Sequence, residues 1–133
     1  MWNYLFAAAV MTAIPQAAPN CPLPHQKPML VVQLFFGRDI AGRGPVTEAE
    51  WDSFEQATIA KNFAEGFTVS DGMGQWLDPK TLRVVHEPSK IVVIAAPSAP
   101  NLAGRIEAVI AGYRTRFHQQ SVGVLTSNEC GRF

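Results

Sequence analysis

Apolar and polar positions change their period several times along this 133-residue chain, and each change predicts the start or end of an element. Residues 5–14 form an apolar run closed by Pro15. The run has the length of a signal-peptide core and is too short to span a bilayer as a helix. Residues 1–18 are therefore read as a signal peptide; a buried N-terminal helix is the other reading. Residues 19–28 hold four prolines and no period, which predicts an extended leader lying on the surface. Met29 to Phe36 is apolar except at Gln33, the pattern of a strand buried on both faces. Gly37 to Pro45, rich in glycine, reads as a loop.

Thr47 and Glu50 have the spacing of a capping box, and Val46 and Trp51 that of a hydrophobic staple. A helix is expected from there to about Lys61, with Trp51, Phe54, Thr58 and Ile59 on its inner face. Phe67 to Ser70 alternates as a half-buried strand does, and Asp71, Gly72 and Gly74 predict a bulge or bend before Trp76. After a turn at Asp78-Pro79-Lys80, a strand from about Arg83 to Ala96 is apolar on both faces at Ile91–Ile94, with a bulge or irregular start at Pro88. Asn101 is placed to cap a helix whose apolar positions Leu102, Ile106, Val109, Ile110, Tyr113 and Phe117 keep the helical period. Ser121 to Thr126 closes the series as a half-buried strand with Val122 and Val124 on one face.

The order β-α-β-β-α-β predicts an α+β, ferredoxin-like two-layer sandwich: a four-stranded antiparallel sheet with two helices on one face, forming a single domain over residues 29–133. Its first and third strands are expected at the centre, its second and fourth at the edges. The start of the first strand then lies beside the end of the last, which brings Cys21 near Cys130. Helices on one face leave the other open, and Val31, Phe35 and one side of Ile91–Ile94 make that face apolar. A second copy of the chain, the leader, or a ligand in a pocket are the three coverings considered, with a homodimer placed first.

Charge narrows the function. Eleven Lys plus Arg balance eleven Asp plus Glu, and no basic stripe is present, which argues against nucleic-acid binding. Two cysteines at the ends of the processed chain suggest a disulfide in an oxidising compartment; two unpaired thiols are the alternative, and their spacing excludes a CxxC redox site. His25, His86 and His118 are scattered without the spacing of metal ligands, so no metal is expected. Phosphate-binding glycine loops and a serine-nucleophile motif are absent from the sequence, so no cofactor is expected either.

His86 and Glu87 are the acid–base candidates, although neighbours on an ideal strand point to opposite faces. A structural role for Glu87, as partner of Lys90, Arg114 or Arg116, is the competing reading. Arg114, Arg116, Gln119 and Gln120 concentrate donors where the second helix ends; they suit a carboxylate or phosphate ligand, or equally the open carbonyls of the helix C-terminus. Trp76 either stacks on a ligand or, the favoured reading, fills the core.

Several short motifs recur in a fixed order: Phe36-Gly37, Trp51-Asp52-Ser53-Phe54, Gly66-Phe67-Thr68-Val69, Gly74-Gln75-Trp76, Glu87-Pro88-Ser89-Lys90, Tyr113-Arg114-Thr115-Arg116-Phe117 and Gln119-Gln120-Ser121-Val122. With these motifs, residues 30–133 resemble a family of small exported bacterial proteins, domain-of-unknown-function family 3574. The resemblance implies a periplasmic or secreted protein and implies no activity. The expectation is therefore a non-catalytic binding or accessory module, dimeric through its open sheet face, with a small-molecule or protein ligand. The alternative is a cofactor-independent enzyme with its pocket on that face, using His86 or Glu87 as acid–base and Arg114 or Arg116 as anion clamp.

Overall fold

The computed structural model describes residues 20–133, so the signal-peptide reading of residues 1–18 lies outside the described residues. Four strands, β1 (Lys27–Gly37), β2 (Thr68–Leu77), β3 (Val84–Ala96) and β4 (Gly123–Gly131), make one antiparallel sheet in the order β2-β3-β1-β4. The first helix runs from Glu48–Phe54 through a π-helical turn, Glu55–Ile59, into Ala60–Asn62, and the second spans Leu102–Phe117. This is the expected ferredoxin-like α+β arrangement, with the two doubly apolar strands at the centre.

Parity along the strands divides the sheet. Val32, Leu34 and Phe36 of β1, with Val92, Ile94 and Ala96 of β3, point to the helices and are buried. The residues between them, Val31, Phe35, Ile91 and Val93 among them, point to the opposite face and remain partly exposed. Between sheet and helices, Phe36, Trp51, Phe54, Tyr113 and Phe117 form an aromatic cluster with mostly edge-on contacts, Phe36 and Tyr113 lying 4.7 Å apart between ring centres. Gly112 lets the helices approach closely, since a Cβ there would lie 3.2 Å from Thr58 Cγ2.

Capping follows the sequence at one helix and departs from it at the other. The Thr47 side chain accepts from the Glu50 amide at 3.2 Å, and the Glu50 carboxylate accepts from the Thr47 amide at 2.9 Å. Arg43 adds a bidentate contact, and together these hold the Glu50 carboxyl down at about 2. Asn101 stands at the start of the second helix, yet its side chain makes no cap. Its backbone is itself helical, at φ −89° and ψ −4°, rather than in the extended region from which a cap reaches back.

Neither predicted interruption of β2 and β3 occurs. Register is continuous from Thr68↔Val93 to Leu77↔Val84, with Gly72, Gly74 and Pro88 all at paired positions. Pro88 fits because its carbonyl points toward β1, where it accepts from the Arg38 amide at 2.9 Å. A residue's N–H and C=O point the same way in a strand, so the missing donor also faces β1. The Arg38 carbonyl that it would have served takes the Val46 amide instead, at 2.8 Å.

The leader differs from the extended reading as well. Lys27 and Pro28 already belong to β1, where only β4 lies beside them and a proline is tolerated. Residues 22–25 turn back, and the hook is fastened to β4: Gln26 Nε2 donates to the Cys130 carbonyl at 2.9 Å, and Arg132 donates to the Pro24 carbonyl at 3.1 Å. Cys21 and Cys130 form a disulfide, with Cα atoms 5.5 Å apart and 109 residues of separation. None of the described residues includes a helix long and apolar enough to cross a membrane. Replacing both cysteines by serine should lower unfolding stability by about 2–5 kcal/mol, chiefly by freeing the unfolded chain. Urea denaturation with and without reductant checks this: equal stability of oxidised, reduced and substituted protein would remove the disulfide as a stabilising element.

Candidate functional site

Glycines make the hollow. At one end of the open sheet face, Gly74 of β2, Gly37 of β1 and Gly123 of β4 occupy neighbouring positions in the pairings Gly74↔Glu87, Gly37↔Ser89 and Phe35↔Gly123. Three missing side chains leave a floor over which Glu87, Ser89 and Phe35 lie. Trp76 walls the hollow on one side; the loop after β1, at Asp39 and Ala41, and the link from the second helix to β4, at His118–Ser121, contribute the rest. The resulting cleft has a volume of about 510 Å³.

Glu87 is the fixed point of this cleft. Its Oε1 accepts from the Trp76 indole Nε1 at 3.0 Å, and its Oε2 accepts from the Asp39 amide at 3.2 Å. The carboxylate lies against Gly37, where a Cβ would come within 2.7 Å of Oε1. Beneath it, the Tyr113 hydroxyl donates to the Gly37 carbonyl at 2.8 Å. Burial pushes the Tyr113 phenol well above its ordinary range; Arg38 opposes that shift and the Glu87 charge adds to it. The phenol therefore stays a proton donor to the backbone that carries the carboxylate.

The structure brings some of the candidate residues together and separates others. Trp76, Glu87, Gln119 and Gln120 line the cleft. Gln119 Nε2 donates to the Asp39 carbonyl at 2.7 Å, tying the two loop walls to each other. His86 has the opposite parity to Glu87 and is exposed outside the cleft, across from Gln75. Arg116 donates to Ser53 Oγ on the first helix at 2.9 Å, and Arg114 is exposed on the helix layer; neither borders the cleft. Trp76 is not a core residue, being 44% exposed, because its strand position faces the uncovered side.

Glu87 does not pair with Lys90, Arg114 or Arg116. Lys90 lies three positions along β3 and so faces the helices, where it is buried and pairs with Glu48 at 2.8 Å and Asp71 at 2.6 Å. Burial opposes its charge, the two carboxylates outweigh that cost, and the ammonium is held above its usual range. Among the described residues, no three His, Cys, Asp or Glu side chains gather as a metal site would require.

Sequence reasoning missed His118 and Asp39 as cleft residues. His118 ends the second helix in the left-handed conformation, at φ 51°, and the following Gln119 amide donates to the Arg114 carbonyl at 3.1 Å, a Schellman-type closure. The Gln119 amide and its side chain, whose Nε2 donates to the Phe117 carbonyl at 3.4 Å, thus serve the helix end, and of the candidates for that role neither the Arg114 nor the Arg116 side chain is used in these contacts. A helical period ending at Phe117 is the signal that could have located His118; nothing in the sequence indicated that the loop after β1 would meet it.

The fold and cleft define a ferredoxin-like α+β domain with an open, glycine-floored hollow on its bare sheet face. A family model described as "Protein of unknown function (DUF3574)" matches residues 32–133, and the chain belongs to that family. A sequence search of curated proteins returns no match. Among solved structures, a phage SAM lyase in complex with S-methyl-5'-thioadenosine is similar with a TM-score of 0.58 and 16% identity, covering 90% of this chain and 97% of that one. A phage SAM lyase in the apo state has a TM-score of 0.56 and 17% identity, with 80% and 92% covered. A nitrogen regulatory PII-like protein from Thiomonas intermedia K12, bound to ADP, AMP and bicarbonate, has a TM-score of 0.48 and 13% identity, with 80% and 97% covered. At the lyases' identities the likeness is one of fold.

The left-handed backbone at His118 costs a residue with a Cβ about 1–2 kcal/mol, of which glycine's extra chain entropy returns about half. His118→Gly should therefore raise stability by up to about 1 kcal/mol while removing the imidazole from the cleft. Denaturant unfolding checks it; a loss of stability would show that the imidazole holds the cleft wall in place.

Proposed function

We propose that this chain is an exported ligand-binding module that holds a small organic molecule in the cleft on its open sheet face. The observation that carries the reading is the cleft itself: four separate segments line it, and the volume of about 510 Å³ falls within the range of small-molecule sites. Glu87 is held in place by the protein's own donors, so the site is organised before any ligand arrives. A phage lyase of similar fold has been solved with S-methyl-5'-thioadenosine, which supports the capacity of this fold for a small organic ligand. Export to the periplasm or the medium is supported by the Cys21–Cys130 disulfide, a bond characteristic of oxidising compartments.

The remaining open face is proposed to pair with a second copy. Leu125 of β4 is 59% exposed there, and on the other side of Gln33 of β1 lie the partly exposed Ile91 and Val93 of β3; an isologous contact would cover these apolar side chains and narrow the mouth of the cleft. One observation favours a second functional reading. Glu87 and His118 border the same cleft and are residue types suited to acid–base work, which fits a cofactor-independent enzyme on a small organic substrate.

Titration of isotopically labelled protein with a library of small organic compounds should shift the Trp76 indole and Gly37 amide resonances together. Failure of every compound at millimolar concentration would overturn the ligand-binding reading, and recovery of a bound compound in altered form would favour the enzyme. For the second copy, Leu125→Glu is expected to halve the mass seen by light scattering; an unchanged mass would rule out that interface.

A further inference from the structure

We infer that the cleft selects a small organic cation, an ammonium or sulfonium group seated between the Glu87 carboxylate and the aromatic side chains of Trp76 and Phe35; this rests on the ligand-binding reading above. Charge at the cleft is one-sided. Asp39 and Glu87 border it together with the His118 imidazole, and no Lys or Arg does so among the described residues. The nearby cations are committed elsewhere: Arg38 donates to the Val46 carbonyl and Glu48, Lys90 pairs with Glu48 and Asp71, and Arg116 donates to Ser53. An anionic ligand would thus meet two carboxylates with no Lys or Arg to offset them.

The carboxylate is also built to receive a partner. Each Glu87 oxygen accepts one hydrogen bond from the protein, Oε1 from Trp76 and Oε2 from Asp39, and a carboxylate oxygen can accept a second. Both protein donors are neutral, so the negative charge is oriented but not cancelled. Gly37 provides the seat that a Cβ would fill, which separates position from mere exposure. Trp76 and Phe35 complete the chemistry, since aromatic faces attract ammonium-type cations and also bury their methyl or methylene groups. Arg114 and Arg116, candidates for gripping an anion, stand outside the cleft.

The test uses the oxidised protein and follows the Trp76 indole and Gly37 amide resonances during titration with choline, its uncharged carbon isostere, trimethylsulfonium and propionate. The cations should shift both resonances, with the uncharged isostere at least about tenfold weaker, a difference of about 1.4 kcal/mol. Added salt should weaken cation binding. Glu87→Gln should cost about tenfold or more in cation affinity, since it removes the charge at nearly constant size; the amide oxygen keeps one of the two protein donors and its NH2 gives up the other. Gly37→Ala should cost a similar factor by pushing the carboxylate aside. Its φ is not positive and the clashing atoms are the end of the Glu87 side chain rather than backbone, so the fold should persist, with any fall in melting temperature limited to the loss of the Trp76 and Asp39 hydrogen bonds.

Preference between choline and trimethylsulfonium would tell ammonium from sulfonium, and either supports the inference. Equal or stronger binding of the uncharged isostere or of propionate at the same resonances would overturn it while leaving the ligand-binding reading intact. Cation binding unaffected by Glu87→Gln would also overturn it. No shift with any of these four probes would overturn the cation inference, while the ligand-binding reading falls only with the wider library.

Discussion

The hydrogen bond from Tyr113 to Gly37 joins the core of this protein to its cleft. The Tyr113 hydroxyl, on a second-helix ring packed against Phe36 and Phe54, donates to the carbonyl of Gly37 at the end of β1. Without that bond a phenol with this degree of burial would be left unsatisfied, a cost of about 1–3 kcal/mol. With it, the aromatic cluster locks the height of the helix against the strand end, and the strand end is where Glu87 rests. The site therefore takes its geometry from packing that lies on the other side of the sheet.

The same division of faces organises the charges. Polar groups with even parity on β3, such as Lys90, meet the helix layer and are neutralised there by Glu48 and Asp71. Those with odd parity, such as Glu87 and Ser89, meet the open side, where only neutral donors reach them. A one-residue shift of register would exchange the two sets and bury Glu87 among the aromatic rings. Continuous pairing on both sides of β3, helped by a proline whose missing donor costs no ladder bond, prevents that exchange.

Much of the fold was legible from the residues. Doubly apolar runs marked β1 and β3 as central, the Thr47–Glu50 capping box marked the first helix, and the 3.6-residue period from Leu102 to Phe117 marked the second. The element order then placed Cys21 beside Cys130. The glycines were harder. Gly72 and Gly74 carry the local signature of a bend, yet they continue the strand, because β3 pairs with every residue of β2 and the ladder outweighs the entropy of two glycines. An isolated tryptophan such as Trp76 reads more readily as core than as a ligand platform, but its parity on the continuous strand puts it on the open face.

The cleft shows the limit of local reading. Glu87, Gln119 and Gln120 were recognisable as chemical groups, but their partners Gly37, Asp39 and His118 come from segments far apart in sequence. By itself, the sequence determined the elements, their order, the two-layer class and the pairing of the chain ends, since these follow from local periodicity and from the few ways such elements stack. Only the tertiary structure decided which side chains share the hollow and which cations stay away from it. That outcome depends on register and on the parity of each strand position relative to its neighbours, and register is set by long-range pairing that no local pattern contains.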